Sequence, residues 1–285
     1  MSKILSMAPA VLLEGLALGE SPRWHDGRLW LSDWLTREVM SVDEDGNRRV
    51  ELTMDGMPFC FDWLPDGRLL VLSNAGEPTL LRREPDGSLT THADLDDLSE
   101  YPWNEIVVDR HGNAYINCIG FDMMGGAEPQ PGLIAVVLPD GRVYPVAEGL
   151  RFPNGMAITP DGSTLIVAES YAKCLTAFDI GDNGALTNRR VWAEIDGYPD
   201  GICVDADGAV WCAAMERCLR VREGGEVLAE VPLDRSPFAC MLGGADGRTL
   251  FVVAAEWKGA EGMSEQDRTG QVLMVQAPAP HAGRP

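Results

Sequence analysis

Short apolar runs of β-type residues alternate with polar turns along nearly the whole chain, and no twelve-residue window shows convincing helical periodicity. Six Asp-Gly or His-Gly turns place their glycines at Gly27, Gly67, Gly112, Gly162, Gly208 and Gly247. Each turn has an apolar run on either side, as in residues 155–159 and 164–167, which is the pattern of a β-hairpin. Hairpins that recur roughly every 40 to 50 residues are typical of propeller blades. The pattern predicts an all-β, six-bladed β-propeller with about four antiparallel strands per blade.

The repeats extend over almost all of the 285 residues, so we expect one propeller domain, residues 1–276. The segment 271–275 is strand-like and is expected to pair near the N-terminal strand, which would close the ring and cover sheet edges. Residues 277–285 are rich in alanine, proline and glycine, which predicts a disordered tail.

Composition argues against several classes of partner. The formal net charge of −21 would repel the phosphates of nucleic acids and anionic membrane surfaces. The seven cysteines are odd in number and lack C-x-x-C spacing, which argues against a disulfide framework and a zinc knuckle. Residues 1–13 make a poor signal peptide, and no apolar run approaches membrane-spanning length. We therefore expect a cytoplasmic protein that acts on a small molecule.

The repeats also predict which side chains meet at the propeller axis. The innermost strand of each blade lines the central channel, so residues at the start of these strands should ring one of its mouths. Four of the six positions carry carboxylate or amide oxygens, which suit Ca²⁺, Mg²⁺ or Mn²⁺. The alternative is that these residues only cap turns. Counted back eight residues from the turn glycine, or seven in the first blade, the positions are Glu20, Phe59, Asn104, Asn154, Asp200 and Ala239.

Three motifs carry a resemblance to a known family: Leu-Gly-Glu-Ser-Pro-Arg-Trp at residues 18–24, Phe-Pro-Asn-Gly-Met-Ala at 152–157 and Tyr-Pro-Asp-Gly-Ile at 198–202. With these motifs in this order, the chain resembles the senescence-marker-protein/gluconolactonase/luciferin-regenerating-enzyme family of regucalcin-like lactonases. The resemblance implies a six-bladed propeller that holds one divalent metal ion in its channel and hydrolyses lactones. It implies that Glu20, Asn154 and Asp200 are metal ligands, and that Asn104 is a fourth ligand or a substrate contact. Calcium is the expected metal, with zinc, magnesium and manganese as alternatives.

One departure from the family pattern bears on the substrate. Family gluconolactonases often read Arg-x-Asn-Asp-Gly where this chain reads Pro-Trp-Asn-Glu-Ile at residues 102–106. The arginine that would contact sugar hydroxyls is absent, so we expect a substrate less polar than gluconolactone. The alternative is that the nearby aromatic side chains only pack between blades. The expected substrate contacts are Asn104, Trp103, Phe59, Phe121 and Phe152, with Met123 and Met124 near them in the sequence.

The expected mechanism is metal-assisted hydrolysis of a lactone or related cyclic ester, in which the metal polarises the carbonyl and a water attacks it. Asp200 is the expected general base, and direct attack by Asp200 to form a covalent intermediate is the alternative. Two other functions remain open from the sequence. One is metal-dependent hydrolysis of aryl esters or phosphotriesters, and the other is a non-catalytic metal-binding propeller.

Overall fold

The structure, a computed structural model, describes residues 4–73, 78–123, 125–259, 262 and 264–283. Its strands form six sheets, and within each sheet strands that follow one another in sequence are hydrogen-bonded neighbours in antiparallel pairs. Contacts between innermost strands run from each sheet to the next and from the last back to the first, which closes a ring. The predicted six-bladed β-propeller is therefore confirmed.

The strands fall into blades in chain order. Two strands precede the first blade, β1 (Leu5–Ser6) and β2 (Ala10–Leu16). Blade 1 contains β3 (Gly19–His25), β4 (Arg28–Asp33), β5 (Glu38–Val42) and β6 (Arg48–Thr53). Blade 2 contains β7 (Pro58–Trp63), β8 (Leu69–Ser73), β9 (Thr79–Arg83) and β10 (Leu89–Asp94). Blade 3 contains β11 (Trp103–Val108), β12 (Ala114–Cys118), β13 (Gly132–Val137) and β14 (Val143–Leu150).

The remaining blades repeat this plan. Blade 4 contains β15 (Pro153–Ile158), β16 (Thr164–Glu169), β17 (Cys174–Ile180) and β18 (Leu186–Glu194). Blade 5 contains β19 (Pro199–Val204), β20 (Val210–Ala214), β21 (Arg217–Val221) and β22 (Val227–Pro232). Blade 6 contains β23 (Ser236–Gly243), β24 (Thr249–Ala255) and β25 (Gly270–Gln276). The first strand of each blade is its innermost strand.

The two ends of the chain meet in blade 6. Strand β2 pairs antiparallel with β25 and supplies the fourth strand of this blade, which confirms the pairing predicted for segment 271–275. Strand β1 pairs parallel with β22 and adds a fifth strand to blade 5, an addition that the repeat pattern did not predict. Both pairings cover sheet edges that would otherwise carry unpaired backbone groups.

The predicted turns join the innermost strand of each blade to its second strand. All six turn glycines adopt the left-handed backbone region, with φ between 71° at Gly247 and 84° at Gly67. Because residues with a Cβ are strained there, glycine fixes the turn at the same point of every blade. The apolar faces of neighbouring blades pack on each other, as around the fully buried Trp103 of blade 3 and Cys60 of blade 2.

The C-terminal segment differs from the sequence prediction. Residues 277–283 are packed rather than disordered, and Ala277 and Ala279 are buried. The segment crosses the turn end of blades 5 and 6, where the N–H of Ala206 donates to the Pro280 carbonyl at 2.8 Å. The N–H of His281 donates to the Gly247 carbonyl at 2.8 Å. Composition did not predict this order. Small residues can pack closely on a surface, and proline has no N–H that would need a hydrogen-bond partner there.

Helical structure is a minor part of the described chain. Two 3₁₀ turns, Ser170–Ala172 and Asp182–Gly184, occur in blade 4. No helix within the described ranges has the length and apolar character needed to cross a bilayer.

Candidate functional site

One mouth of the central channel opens into a cavity of about 450 Å³. It lies at the start of the innermost strands, on the opposite end from the six glycine turns. All four oxygen-donating residues predicted for the axis line this cavity, which confirms that they converge. The lining residues at its floor are Glu20, Asn104, Asn154 and Asp200, and those at its walls include Leu18, Trp34, Met123, Phe152, Ser170, Tyr171, Tyr198, Met215, Glu216, Phe238 and Trp257.

A β-bulge sits at this level in every innermost strand. In β11, the register shifts between Trp103 and Glu105, so Asn104 has no cross-strand partner. Strand β19 likewise skips Asp200, and β23 skips Phe238. Bulges bend a strand and re-aim a side chain, which is why these side chains turn toward the axis. We call the six residues at this level the channel ring. Five of them are skipped by the strand pairing, whereas Glu20 pairs with Ser32 directly before the irregularity in β3. The six are Glu20, Phe59, Asn104, Asn154, Asp200 and Phe238.

Blade 6 departs from the predicted ring. Ala239 is buried beside Gly201 of blade 5, and Phe238 takes the ring position instead. The prediction was wrong because blade 6 has one more residue between its bulge and its turn glycine than blades 2 to 5. A proline directly before the ring residue would have marked the position, since Pro237 corresponds to Pro58, Pro153 and Pro199 in blades 2, 4 and 5.

Hydrogen bonds tie the two ring asparagines together. The Asn104 Nδ2 donates to Asn154 Oδ1 at 3.2 Å, and Asn154 also bonds the Asp200 carboxylate. Ser170 stands behind them, since its hydroxyl donates to the Pro199 carbonyl at 2.7 Å and accepts weakly from Asn154 Nδ2 at 3.4 Å. Blades 3, 4 and 5 therefore hold their ring residues as one connected group.

Glycine next to the ring allows blades 4 and 5 to approach closely. A Cβ on Gly155 would lie 2.6 Å from the Asp200 carbonyl oxygen and 2.6 Å from the Ile202 nitrogen. No side chain fits in that space, so the Asn-Gly sequence at residues 154–155 sets the spacing between Asn154 and Asp200.

The charged forms of the two ring carboxylates, Glu20 and Asp200, are unfavourable in their buried surroundings. Burial raises the pKa of Glu20 to about 8. A hydrogen bond from the Ser21 N–H at 2.7 Å favours the charged form and offsets part of this rise. Enclosure by protein raises the pKa of Asp200 well above its usual range, and the negative charge of Glu20 raises it further. Two enclosed carboxylates that repel each other are stabilised when a cation lies between them.

Deeper in the channel, a buried ion pair joins blade 1 to blade 3. Arg23 Nη2 lies 2.9 Å from Glu105 Oε1 and also donates to the Ile106 carbonyl at 2.7 Å. The same Glu105 oxygen accepts from the Ile106 N–H at 2.8 Å. The positive charge of Arg23 is thus engaged by Glu105 and does not neutralise both ring carboxylates.

The donor set fits a divalent cation that prefers oxygen. Glu20 and Asp200 would supply two negative charges, and Asn104 and Asn154 would supply neutral amide oxygens. Within the described part of the chain, no three His, Cys, Asp or Glu side chains come together as a metal-binding group. The candidate metal centre therefore consists of two carboxylates and the two amides of Asn104 and Asn154.

The predicted substrate contacts divide into three groups. Asn104 and Phe152 line the cavity, as does Met123. Phe59 and Phe121 do not line the cavity but contact rings that do, with the Phe59 ring 4.9 Å from Trp34 and the Phe121 ring 5.8 Å from Phe152. Met124 lies outside the described residues.

Trp103 does not reach the cavity. Its side chain is fully buried in the apolar core between blades 2 and 3. Neighbouring residues in a strand point to opposite faces, so a tryptophan beside the ring residue Asn104 is directed away from the axis. For this residue the alternative of packing between blades is the correct one.

A larger cavity of about 840 Å³ lies at the turn end, between blades 3 and 4. Both of its arginine side chains are already engaged near the surface. Arg142 pairs with Asp140 at 2.8 Å, and Arg110 donates to the Asp161 carbonyl at 3.0 Å. This cavity lacks the enclosed, mutually repelling acids of the channel ring, so the ring is the stronger candidate site.

The sequence is similar to those of named proteins over most of its length. A regucalcin of Xenopus laevis is 27% identical over 268 residues, covering 90% of this chain and 87% of that protein. A pentonolactonase of Haloferax volcanii is 26% identical over 262 residues, covering 88% and 86%.

Solved structures extend the likeness to the fold. A calcium-binding regucalcin of Agrobacterium tumefaciens has a TM-score of 0.81 at 24% identity, covering 100% of this chain and 98% of that one. A gluconolactonase of Xanthomonas campestris has a TM-score of 0.74 at 25% identity, covering 94% and 89%. Residues 18–256, which include the whole channel ring, match the family described as the SMP-30/Gluconolactonase/LRE-like region, and the chain belongs to that family.

Proposed function

We propose that the protein is a divalent-metal-dependent hydrolase that opens a lactone or related cyclic ester. The observation that carries this proposal is the pair of enclosed carboxylates, Glu20 and Asp200, beside two amides at the floor of a cavity large enough for a small molecule. Membership of a family that includes gluconolactonases supports it, as do relatives named as a pentonolactonase and a gluconolactonase.

The cation would be held by Glu20, Asn104, Asn154 and Asp200. Calcium is the first candidate, because the ligands are all oxygens and a related structure is described as a calcium-binding regucalcin. Zinc, magnesium and manganese are alternatives. When bound, such a cation supplies Lewis acidity that polarises a carbonyl oxygen.

Asp200 is the proposed general base. In a charge-balanced site its carboxylate is ionised, and it can take a proton from a water that attacks the carbonyl carbon. Its hydrogen bond from Asn154 holds the carboxylate in place. Asn104 and Asn154 would orient the substrate without adding charge, and Glu20 would balance the cation. Direct attack by Asp200 on the carbonyl is the alternative mechanism.

A substrate less polar than gluconolactone is proposed from the cavity walls. Above the floor, the lining is mostly aromatic and aliphatic, including Leu18, Trp34 and Phe238. A sugar ring would leave several hydroxyls facing such surfaces without hydrogen-bond partners, which is unfavourable.

The test is a lactone panel assayed by proton release on chelated protein, with Ca²⁺, Mg²⁺, Mn²⁺ or Zn²⁺ restored singly. Turnover that needs the metal and is lost in Asp200→Asn supports the proposal. Asp45→Asn, an exposed carboxylate in the β5–β6 turn, is the matched control and should keep full activity. Full activity in Asp200→Asn would contradict the general-base role. Metal binding without turnover of any lactone would favour aryl-ester or phosphotriester hydrolysis, or a non-catalytic role.

A further inference from the structure

Exposed apolar side chains are concentrated at the mouth of the cavity. The described residues expose ten large apolar side chains, and four of them line this one opening. Such a concentration on a soluble protein marks a surface that receives an apolar group. The four are Tyr171, Tyr198, Met215 and Trp257.

Aromatic rings stand in two groups around the mouth of the cavity. On blades 3 and 4, the Phe152 ring lies 4.7 Å from Tyr171 and 5.8 Å from Phe121. On blade 6, the Phe238 ring lies 5.7 Å from Trp257 with 71° between the planes. The two lining rings of the first group, Phe152 and Tyr171, belong to blade 4, so blade 5 separates them from the blade 6 group. A flat ring that enters the mouth therefore meets aromatic surface from two different blades.

Backbone conformation adds an independent argument at Phe152. Its φ is 57°, in the left-handed region where residues other than glycine, asparagine and aspartate are rare. The Ser170 N–H donates to the Phe152 carbonyl at 3.0 Å and holds the chain in this conformation. A glycine would relieve the strain but remove the ring from the cavity wall. Strained residues with side chains directed into a cavity are typical of functional sites.

Phe238 shares the channel ring and the cavity with the two ring carboxylates. It occupies the bulge level of blade 6, between Asp200 of blade 5 and Glu20 of blade 1 in ring order. A substituent on a lactone whose carbonyl lies at the floor would contact Phe238 first and Trp257 beyond it. The Ser170 hydroxyl donates to the Pro199 carbonyl, so it could only accept a hydrogen bond from a sugar hydroxyl and could not donate one.

We propose that Phe238 and Trp257 determine specificity for lactones that carry an aromatic ring, fused to the lactone or attached to it, with Phe152 and Tyr171 contacting that ring from blade 4. This inference rests on the proposed lactone hydrolysis and names its substrate class. Stacked and edge-on aromatic contacts are stronger than area alone would give, which is the physical basis of the preference.

The test compares dihydrocoumarin, δ-valerolactone and gluconolactone on the metal-loaded protein. We expect kcat/KM for dihydrocoumarin to exceed that for gluconolactone by about tenfold or more. Phe238→Ala should lower kcat/KM for dihydrocoumarin by about tenfold, mainly through KM, and leave δ-valerolactone changed much less. Tyr144→Ala, an exposed aromatic residue on β14 away from the mouth, should change none of the three. Preference for gluconolactone, or an equal effect of Phe238→Ala on all three lactones, would overturn the inference.

A binding measurement separates this inference from the proposed function. The non-hydrolysable lactam 3,4-dihydro-2-quinolinone has the same fused rings as dihydrocoumarin, and its affinity can be measured by calorimetry. We expect Phe238→Ala and Trp257→Ala each to weaken it several-fold, and Tyr144→Ala to leave it unchanged. If no lactone is hydrolysed, the proposed function fails, and this titration alone decides the inference. Equal affinity in the wild type and both wall variants would then contradict it.

Discussion

Strand β19 has an aspartate at each end, and the two have opposite surroundings. Asp205, directly after the strand at the turn end, is fully buried, but its oxygens accept from the Ala209 N–H at 3.1 Å and from Arg220 Nε at 2.7 Å. Asp200, at the ring end, shares its enclosure with Glu20 and no basic side chain pairs with it among the described contacts. A buried acid that is satisfied stabilises the fold, whereas one left with a like charge indicates a bound cation or a chemical role.

The largest expected effect comes from replacing Asp200, the aspartate at the ring end of β19. Asp200→Asn removes the proposed base and should lower kcat by roughly 100-fold to 10,000-fold, the usual contribution of general-base catalysis. Because the change also removes a repelling charge, thermal stability of the chelated protein should stay the same or rise. Turnover with the preferred lactone and a melting curve in chelator check the two parts. If Asp200→Asn lost activity only because the protein unfolds, Asp200 would have a structural role like that of Asp205, and the contrast between them would be contradicted.

The pH dependence of stability sharpens the same contrast. In chelated protein, the folded state holds a proton on Glu20 up to about pH 8, whereas the unfolded chain releases it above its ordinary pKa of 4.5. The folded state therefore binds more protons over this interval, so the free energy of unfolding should fall as pH rises from about 4.5 to 8 and then level off, by up to about 5 kcal/mol. Guanidinium chloride titrations at successive pH values measure it.

The control for the pH experiment is Glu20→Gln, which should flatten the slope that Glu20 causes. Saturating metal should reverse the trend, because the ring is then favoured in its deprotonated form. We expect the chelated wild-type protein to lose stability relative to Glu20→Gln as the pH rises from 5 to 8. A gain in relative stability over this interval would contradict the raised pKa of Glu20.

At the turn end, Asp205→Ala should destabilise the fold rather than impair chemistry. The change leaves the buried Arg220 with only the exposed Asp207 as a partner at 2.8 Å and removes an acceptor from two backbone N–H groups. We expect a loss of about 3 kcal/mol in the free energy of unfolding, with turnover per folded molecule retained. Asp207→Ala is the matched control, and its cost should be about 1 kcal/mol or less. Equal losses in both variants would remove the special role of Asp205.

The smallest expected effect concerns the C-terminal segment. Deletion of residues 277–285 removes the contacts of Pro280 and His281 with the turns of blades 5 and 6. Because the segment lies on the end away from the cavity, we expect stability to fall by about 1–2 kcal/mol with lactone turnover unchanged. Thermal unfolding and a lactone assay of the truncated protein measure these quantities, and unchanged stability would mean that the contacts contribute nothing in solution.

Repetition explains why so much of the fold could be predicted. Six similar hairpins each required a glycine at the same turn, and all six adopt positive φ, so the blades and five of the six ring residues followed from counting. Counting failed where one residue changes the outcome. Phe238 was missed because blade 6 is one residue longer, and Trp103 was misplaced because neighbouring strand residues point in opposite directions.

Other parts of the site depend on contacts that no local pattern records. Trp257 and Tyr171 reach the cavity from connections between outer strands, far in sequence from the ring motifs. The buried Arg23–Glu105 pair joins blades 1 and 3 across 82 residues. Such contacts are set by how blades assemble around the axis, and a single sequence without aligned relatives gives no signal for them.

The central claim is that Glu20 and Asp200, with Asn104 and Asn154, bind one divalent cation. Its most direct test is calorimetric titration of chelated protein with Ca²⁺, repeated with Zn²⁺, Mg²⁺ and Mn²⁺. We predict one ion per chain for at least one of these metals in the wild type and in Asp207→Asn, and no detectable binding of that ion in the Glu20→Gln/Asp200→Asn double variant. Wild-type affinity and stoichiometry in the folded double variant would contradict the claim.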